Sequence, residues 1–196
     1  MAWLTQEQMT AMGFACFGSN VLLSDKTSYY NCQNIRLGNN VRIDDFCVLS
    51  AGAGGIDIGN YIHIAVFSSL IGAGNITLAD FCNISSRVSI YSSNDDYSGA
   101  AMTNPTLPES LTNVHHADVK IGSHVIIGAG SIILPDVILE EGAAIGALSL
   151  VKSHCQSFGI YAGVPAKKVG NRKRDLLDCL PLLHSFEQNT PTAARD

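Results

Sequence analysis

Residues 119–151 read VKIGSHVIIGAGSIILPDVILEEGAAIGALSLV, and within them Ile121, Ile127, Ile133, Leu139, Ile145 and Val151 stand six apart without a gap. A helix wants apolar positions every three or four residues and an ordinary strand every two. A strict period of six fits short extended rungs that each turn a corner and stack on the turn before, a parallel β-helix. A β-sandwich of many short strands would show alternation of period two instead.

The same spacing recurs upstream in Leu37, Ile43 and Leu49, in Ile58, Ile64 and Leu70, and in Leu78, Ile84 and Ile90. Two residues before the next aliphatic sits a smaller or branched residue, such as Cys47, Ser68, Cys82, Val88, Val125, Ser131 or Ala143. Both positions point into a narrow prism. Gly, Asp and Asn follow at the corners, where positive φ or a side-chain bond to the backbone is expected. No coil can bury its own apolar side; it does so against its neighbours.

The 196 residues suit one domain. The net charge of −5 and the lack of a long basic run argue against a nucleic-acid partner. No apolar stretch is long enough to span a bilayer, and the N-terminus lacks the basic start and apolar core of a signal peptide, so a cytoplasmic protein is expected. The six cysteines form no CxxC pair, and Cys47 and Cys82 occupy inward positions. They read as free, buried thiols in a reducing compartment.

Thr5 with Gln8 forms a capping-box pattern and Gly13 a stop, predicting a helix over 5–12. Coils follow over 21–90 and 119–151. The period slips at the glycine-rich stretches 51–55 and 72–75. Between the two runs lies a non-repetitive excursion, 92–118, holding Asn94, Asp95, Asp96, Tyr97, Pro105, Pro108, His115 and His116. A loop this long inside a solenoid points to function. Residues 170–187 have a helical pattern and are expected to cap the open end; 188–196 are expected to be a tail.

Three segments carry a resemblance: Ile126-Ile127-Gly128-Ala129-Gly130-Ser131, Ile145-Gly146-Ala147, and Tyr161-Ala162-Gly163-Val164-Pro165-Ala166-Lys167-Lys168. Together they resemble the C-terminal signature of hexapeptide-repeat acetyltransferases, over about residues 20–170. The resemblance implies an all-β, left-handed parallel β-helix, acetyl-CoA as co-substrate, no metal, and a homotrimer with active sites between adjacent prisms. The segment Ser93 to Gly99 and the N-terminal helix look like the branch that acetylates surface polysaccharides and nucleotide sugars. The implied partner is therefore a small-molecule sugar or nucleotide-sugar acceptor.

Acyl transfer needs a proton acceptor for the nucleophile, a donor for the developing oxyanion, and a positioned thioester. His63 lies between two inward residues and so faces outward; it resembles an active-site histidine of sugar-modifying relatives, which implies a histidine general base or a contact to the acetyl group. Galactoside and maltose acetyltransferases carry their catalytic histidine just after the equivalent of Ser89-Ile90. Here that stretch reads Tyr91-Ser92-Ser93-Asn94-Asp95-Asp96, with no histidine. Asp95 or Asp96 could orient His63, bind a sugar amine, or act as the base. Asn94, Tyr97, His115 and His116 are candidates for acceptor binding, and His124 for catalysis or coenzyme contact. By resemblance, Ala129, Ala147 and Lys152 line the coenzyme groove, and Lys167 and Lys168 meet its phosphates.

The function expected is transfer of an acetyl group from acetyl-CoA to a sugar amine or hydroxyl. Two alternatives stand beside it: a zinc-dependent carbonic-anhydrase-like β-helix, which needs three converging histidines, and a non-enzymatic assembly solenoid.

Overall fold

Three short strands make each coil, one per face of a triangular prism, and successive coils stack in parallel register into a left-handed β-helix. The computed structural model describes residues 2–189; the expected tail beyond 189 lies outside the described residues. Face 1 runs from Cys16–Phe17 through Ile35–Leu37, Ile56–Ile58, Ile76–Leu78 and Val119–Ile121 to Ile138–Leu139. Face 2 runs from Leu22–Leu23 through Val41–Ile43, Ile62–Ile64, Asn83–Ile84, Ile126–Ile127 and Ala144–Ile145 to Gly159–Ala162, and Lys167–Asn171 folds back antiparallel on its edge. Face 3 runs from Ser28–Tyr30 through Val48–Ala51, Ser69–Gly72, Ser89–Tyr91 and Ile132–Ile133 to Leu150–Val151. The three edges of the prism are called 1/2, 2/3 and 3/1 after the faces they join.

The six-residue aliphatics fill the axis: Ile43, Leu49, Ile64, Leu70, Ile84, Ile90, Ile127 and Ile133 are fully buried. Each contributes about 1.5–3 kcal/mol by leaving water. The inward serines are satisfied across the coil corners. Ser68 Oγ donates to the Ser85 carbonyl at 3.0 Å, and Ser131 Oγ and Ser149 Oγ both donate to the Gly146 carbonyl.

Positive φ at the corners falls on Asn20, Asn40, Asp136, Gly130 and Gly142, as the sequence suggests, and also on bulky residues. Phe46, Tyr61, Phe67, Phe81, Arg87, His124 and Leu148 all adopt it, at a cost on the order of 1 kcal/mol each. They occupy equivalent positions in successive coils, so their side chains stack. Tyr61 lies on Phe81 and Phe81 on the His124 ring along edge 1/2, and Phe46 lies on Phe67 along edge 2/3, with ring centroids 4.8–5.1 Å apart. Such pairs return about 0.5–1.5 kcal/mol. Corner glycines such as Gly38 and Gly128 serve close approach instead. A Cβ there would stand 2.5 Å from the Gly59 carbonyl oxygen or the Ala147 nitrogen on the next coil.

Thr5 caps helix α1 (Gln6–Met12) with a full capping box, and Gly13 ends it in the left-handed region. Helix α2 (Leu180–Asn189) follows a 3-10 turn at Asp175–Cys179. This segment flanks edge 1/2: Leu176, Cys179, Leu180 and Leu183 line a cavity of about 360 Å³ with Phe81, His124 and Arg172. No helix among the described residues is long and apolar enough to cross a membrane.

Candidate active site

His63 projects outward from face 2 because its neighbours Ile62 and Ile64 are held in the axis. Coil stacking sets it in register between Arg42 and Asn83. Its Nε2 lies 2.9 Å from Asp44 Oδ2 and its Nδ1 3.2 Å from Asn83 Oδ1. Arg42 Nε donates to the other Asp44 oxygen at 2.7 Å, and its guanidinium lies over the Trp3 ring. Asp44 is buried. Burial acts to raise its carboxyl; the hydrogen bonds from His63 and Arg42, with their charges, outweigh that and hold it below the usual carboxylate range. Asp44 and Asn83 thus hold the His63 ring from both sides, Nε2 against the carboxylate and Nδ1 toward the exposed Asn83 side chain.

The excursion leaves from edge 3/1, across the prism from face 2. At its root, Ser93 and Asn94 pair antiparallel with His116 and His115. Ser93 Oγ lies 2.7 Å from His116 Nδ1 and accepts from the Ala73 amide. Asp96 is occupied locally: Oδ1 accepts from the Ser98 amide at 2.8 Å and Oδ2 from the Ala101 amide at 3.0 Å. Bonding from Ser98, then from the Ala101 and Ala100 amides, holds its carboxyl below the usual range. The Asp95 carboxylate is exposed and has no side-chain partner among the described residues. Tyr97 is 88% exposed. No hydrogen bond or ion pair joins His63 to Asp95 or Asp96 among the described residues; one chain leaves them on different sides of the prism.

Edge 2/3 is a regular track. The same backbone bond repeats down it, from Phe67 N–H to Asp45 O, Arg87 to Val66, Gly130 to Ser86, and Leu148 to Ala129. Ala129 and Ala147 lie on this track, and Lys167 and Lys168 begin the returning strand beside Ala162 at its end. Lys152 follows Val151 out of face 3 and stands at edge 3/1. His124 stands at edge 1/2, where its carbonyl accepts from Arg172 Nη1 at 2.7 Å. The candidate coenzyme residues therefore gather on edge 2/3 except for Lys152, and His124 is apart from them.

Sequence reasoning missed Arg42, Asp44 and Asn83, which surround His63. Their signal is the coil length: partners on adjacent coils stand 20 or 21 residues apart, a recurrence hidden beneath the period of six. Burial pushes the Cys82 thiol up to about 12 and Cys155 up to about 11, which leaves neither a nucleophilic thiolate. Among the described residues of one chain no three His, Cys, Asp or Glu side chains gather as metal ligands.

Residues 118–153 match the family model for bacterial transferase hexapeptide (six repeats). The chain is 61% identical over 178 residues to dTDP-4-amino-4,6-dideoxy-D-glucose acyltransferase from Escherichia coli, covering 91% of this chain and 93% of that one. It is also similar to AntD, an N-acyltransferase from Bacillus cereus. A serine-to-cysteine variant of AntD in complex with dTDP-4-amino-4,6-dideoxyglucose and coenzyme A is 44% identical, with a TM-score of 0.87 over 96% of this chain and 98% of that one. AntD in complex with dTDP and 3-hydroxybutyryl-CoA is 45% identical, with a TM-score of 0.88 over the same shares. With its coils, its small-residue track and these relatives matched along nearly its whole length, the chain belongs to the hexapeptide-repeat sugar acyltransferases.

Proposed function

We propose that this protein transfers an acyl group from acyl-CoA to the 4-amino group of dTDP-4-amino-4,6-dideoxyglucose, as a cytoplasmic homotrimer supplying surface-polysaccharide synthesis. The observation that carries this reading is the 61% identity, across 91% of the chain, to an enzyme named for that acceptor. The sugar and CoA complexes of AntD support it.

The neutral amine attacks the thioester carbonyl. A C–N bond forms, the C–S bond breaks, the nitrogen loses one proton, and sulfur leaves as a thiolate that is protonated to free CoA. Asp95 takes the amine proton, carried to the reacting groups by the excursion of a neighbouring protomer. Asp96 holds the turn that presents it. His63, fixed by Asp44 and Asn83, is a rigid contact for the acyl or sugar group. Asn94, Tyr97, His115 and His116 contact the acceptor. Ala129 and Ala147 leave room for pantetheine against backbone amides, and Lys152, Lys167 and Lys168 meet the coenzyme phosphates.

The test is to incubate purified protein with dTDP-4-amino-4,6-dideoxyglucose and either acetyl-CoA or 3-hydroxybutyryl-CoA. Acceptor-dependent thiol release, with one acyl group added to the sugar nucleotide by mass spectrometry, is the expected result, and the better donor names the acyl group. No product with either donor would overturn the reading.

A further inference from the structure

Edge 2/3 changes character along its length. In its N-terminal half the equivalent corner positions hold Phe46, Phe67 and Arg87; in its C-terminal half they hold Gly130 and Leu148. Phe46 and Phe67 stack face to face, and each is 50% exposed. Lys26 Nζ lies 5.8 Å from the Phe46 centroid and the Arg87 guanidinium 5.4 Å from that of Phe67. Two exposed phenyl rings, flanked by a cation at either end, form one continuous surface.

The chain carries a net charge of −5, yet of the four Lys and Arg residues before Lys120, three (Lys26, Arg42 and Arg87) stand on or beside this edge. Lys26 is paired with Asp45 and Arg42 with Asp44. Arg87 is exposed and has no carboxylate partner among the described residues. The next cations along the same edge are Lys167 and Lys168 at its far end. Among the described residues, unpaired positive charge thus sits mid-track at Arg87 and at the far end at Lys167 and Lys168, with the neutral Gly130 and Leu148 at the corners between.

Resting on the acyltransferase reading above, we propose that the Phe46–Phe67–Arg87 stretch binds the nucleoside diphosphate of the acceptor. The planar base lies against the exposed phenyl rings, and Arg87 pairs with the diphosphate. The two co-substrates are each anionic at one end and reactive at the other. Cations at Arg87 and at Lys167 and Lys168 align them head to head. The acceptor's phosphates lie toward Arg87, those of the coenzyme toward Lys167 and Lys168, and the amine and thioester meet between, near Ser86 and Ala129.

The test measures dTDP and CoA separately by titration calorimetry on the full chain, with wild type, Arg87→Gln and Phe67→Ala, and mass by light scattering. The expected result is dTDP binding weakened about tenfold or more in both variants, with CoA affinity within about twofold and mass unchanged. KM for the sugar nucleotide rises in step while KM for acyl-CoA does not. Variants that bind dTDP like wild type would overturn the assignment while leaving the acyltransferase reading intact. Loss of both affinities with a fall in particle mass would overturn it in favour of a contact between copies of the chain. Wild-type protein without affinity for dTDP would overturn the acceptor reading itself.

Discussion

Asp44 Oδ2 lies 2.9 Å from His63 Nε2 while Arg42 Nε lies 2.7 Å from Asp44 Oδ1, so one buried carboxylate joins two outward-facing side chains on adjacent coils. This arrangement fixes the orientation of the His63 ring. Its Nδ1 already faces Asn83, and its Nε2 faces a carboxylate that belongs to the scaffold.

Asp44→Asn should destabilise the protein by about 1–2 kcal/mol at neutral pH, a value discounted because Arg42 and His63 are partly exposed. The folded carboxyl is depressed below its unfolded value, near 3.9. Its contribution is therefore present in full above that unfolded value and is lost as pH falls through the depressed folded value. Urea unfolding of wild type and Asp44→Asn, at one protein concentration, should differ fully at pH 7 and begin to converge only as pH falls below about 4. A gap that persists in acid would mean the carboxylate charge is not what matters.

A general base at His63 would make His63→Ala lose about 10²-fold or more in turnover. With Asp95 as the base and His63 as a rigid contact, the expected loss is about tenfold or less, with the pH dependence of kcat/KM unmoved. A large loss together with a vanished basic limb would return the role of base to His63.

Asp95 and Asp96 should separate cleanly. Asp95→Asn is expected to lower kcat about 10²-fold with little change in coenzyme affinity. Asp96→Asn keeps one acceptor oxygen for the Ser98 and Ala101 amides and loses the other, which loosens the turn and should mainly raise KM for the acceptor and speed proteolysis within the excursion. The opposite pattern, with kcat falling in Asp96→Asn alone, would exchange their roles.

Gly38→Ala should cost about 1–3 kcal/mol, because its Cβ would stand 2.5 Å from the Gly59 carbonyl and force two coils apart. Gly38 is on edge 1/2, away from the track. Thermal unfolding should shift down while kcat/KM at 25 °C holds; an unchanged Tm would show that the coil spacing can relax there.

Arg172 ties the C-terminal segment to edge 1/2 through the His124 and Gly142 carbonyls. Arg172→Ala should make residues beyond 172 more susceptible to limited proteolysis, while the coils stay resistant. Unchanged cleavage rates would mean the apolar packing of Leu176, Leu180 and Leu183 holds the segment without it.

Much of this protein was legible in its sequence. The six-residue aliphatics, the small inward residues and the outward direction of His63 follow from local alternation, and each is seen in the burial of Ile62 and Ile64 around it. The family followed from motifs on single coils. The expected corner residues were part of the answer: Asn20, Asn40, Asp136, Gly130 and Gly142 adopt positive φ, and Phe46, Phe67, Phe81 and Arg87 do so as well. A bulky residue at positive φ looks unfavourable in isolation; it is stabilised by stacking on its counterpart one coil away.

By itself, then, the sequence determined the rung: which residues point inward, where each strand turns, and hence a parallel β-helix. Tertiary structure decided the neighbours. Adjacent coils pair residues 20 or 21 apart before the excursion and 18, then 16, apart after it, so which outward side chains meet depends on the length of every corner between them. Burial of an aliphatic is set within three residues, but the meeting of Asp44 with His63, or of Phe67 with Arg87, is set by a whole turn of the prism.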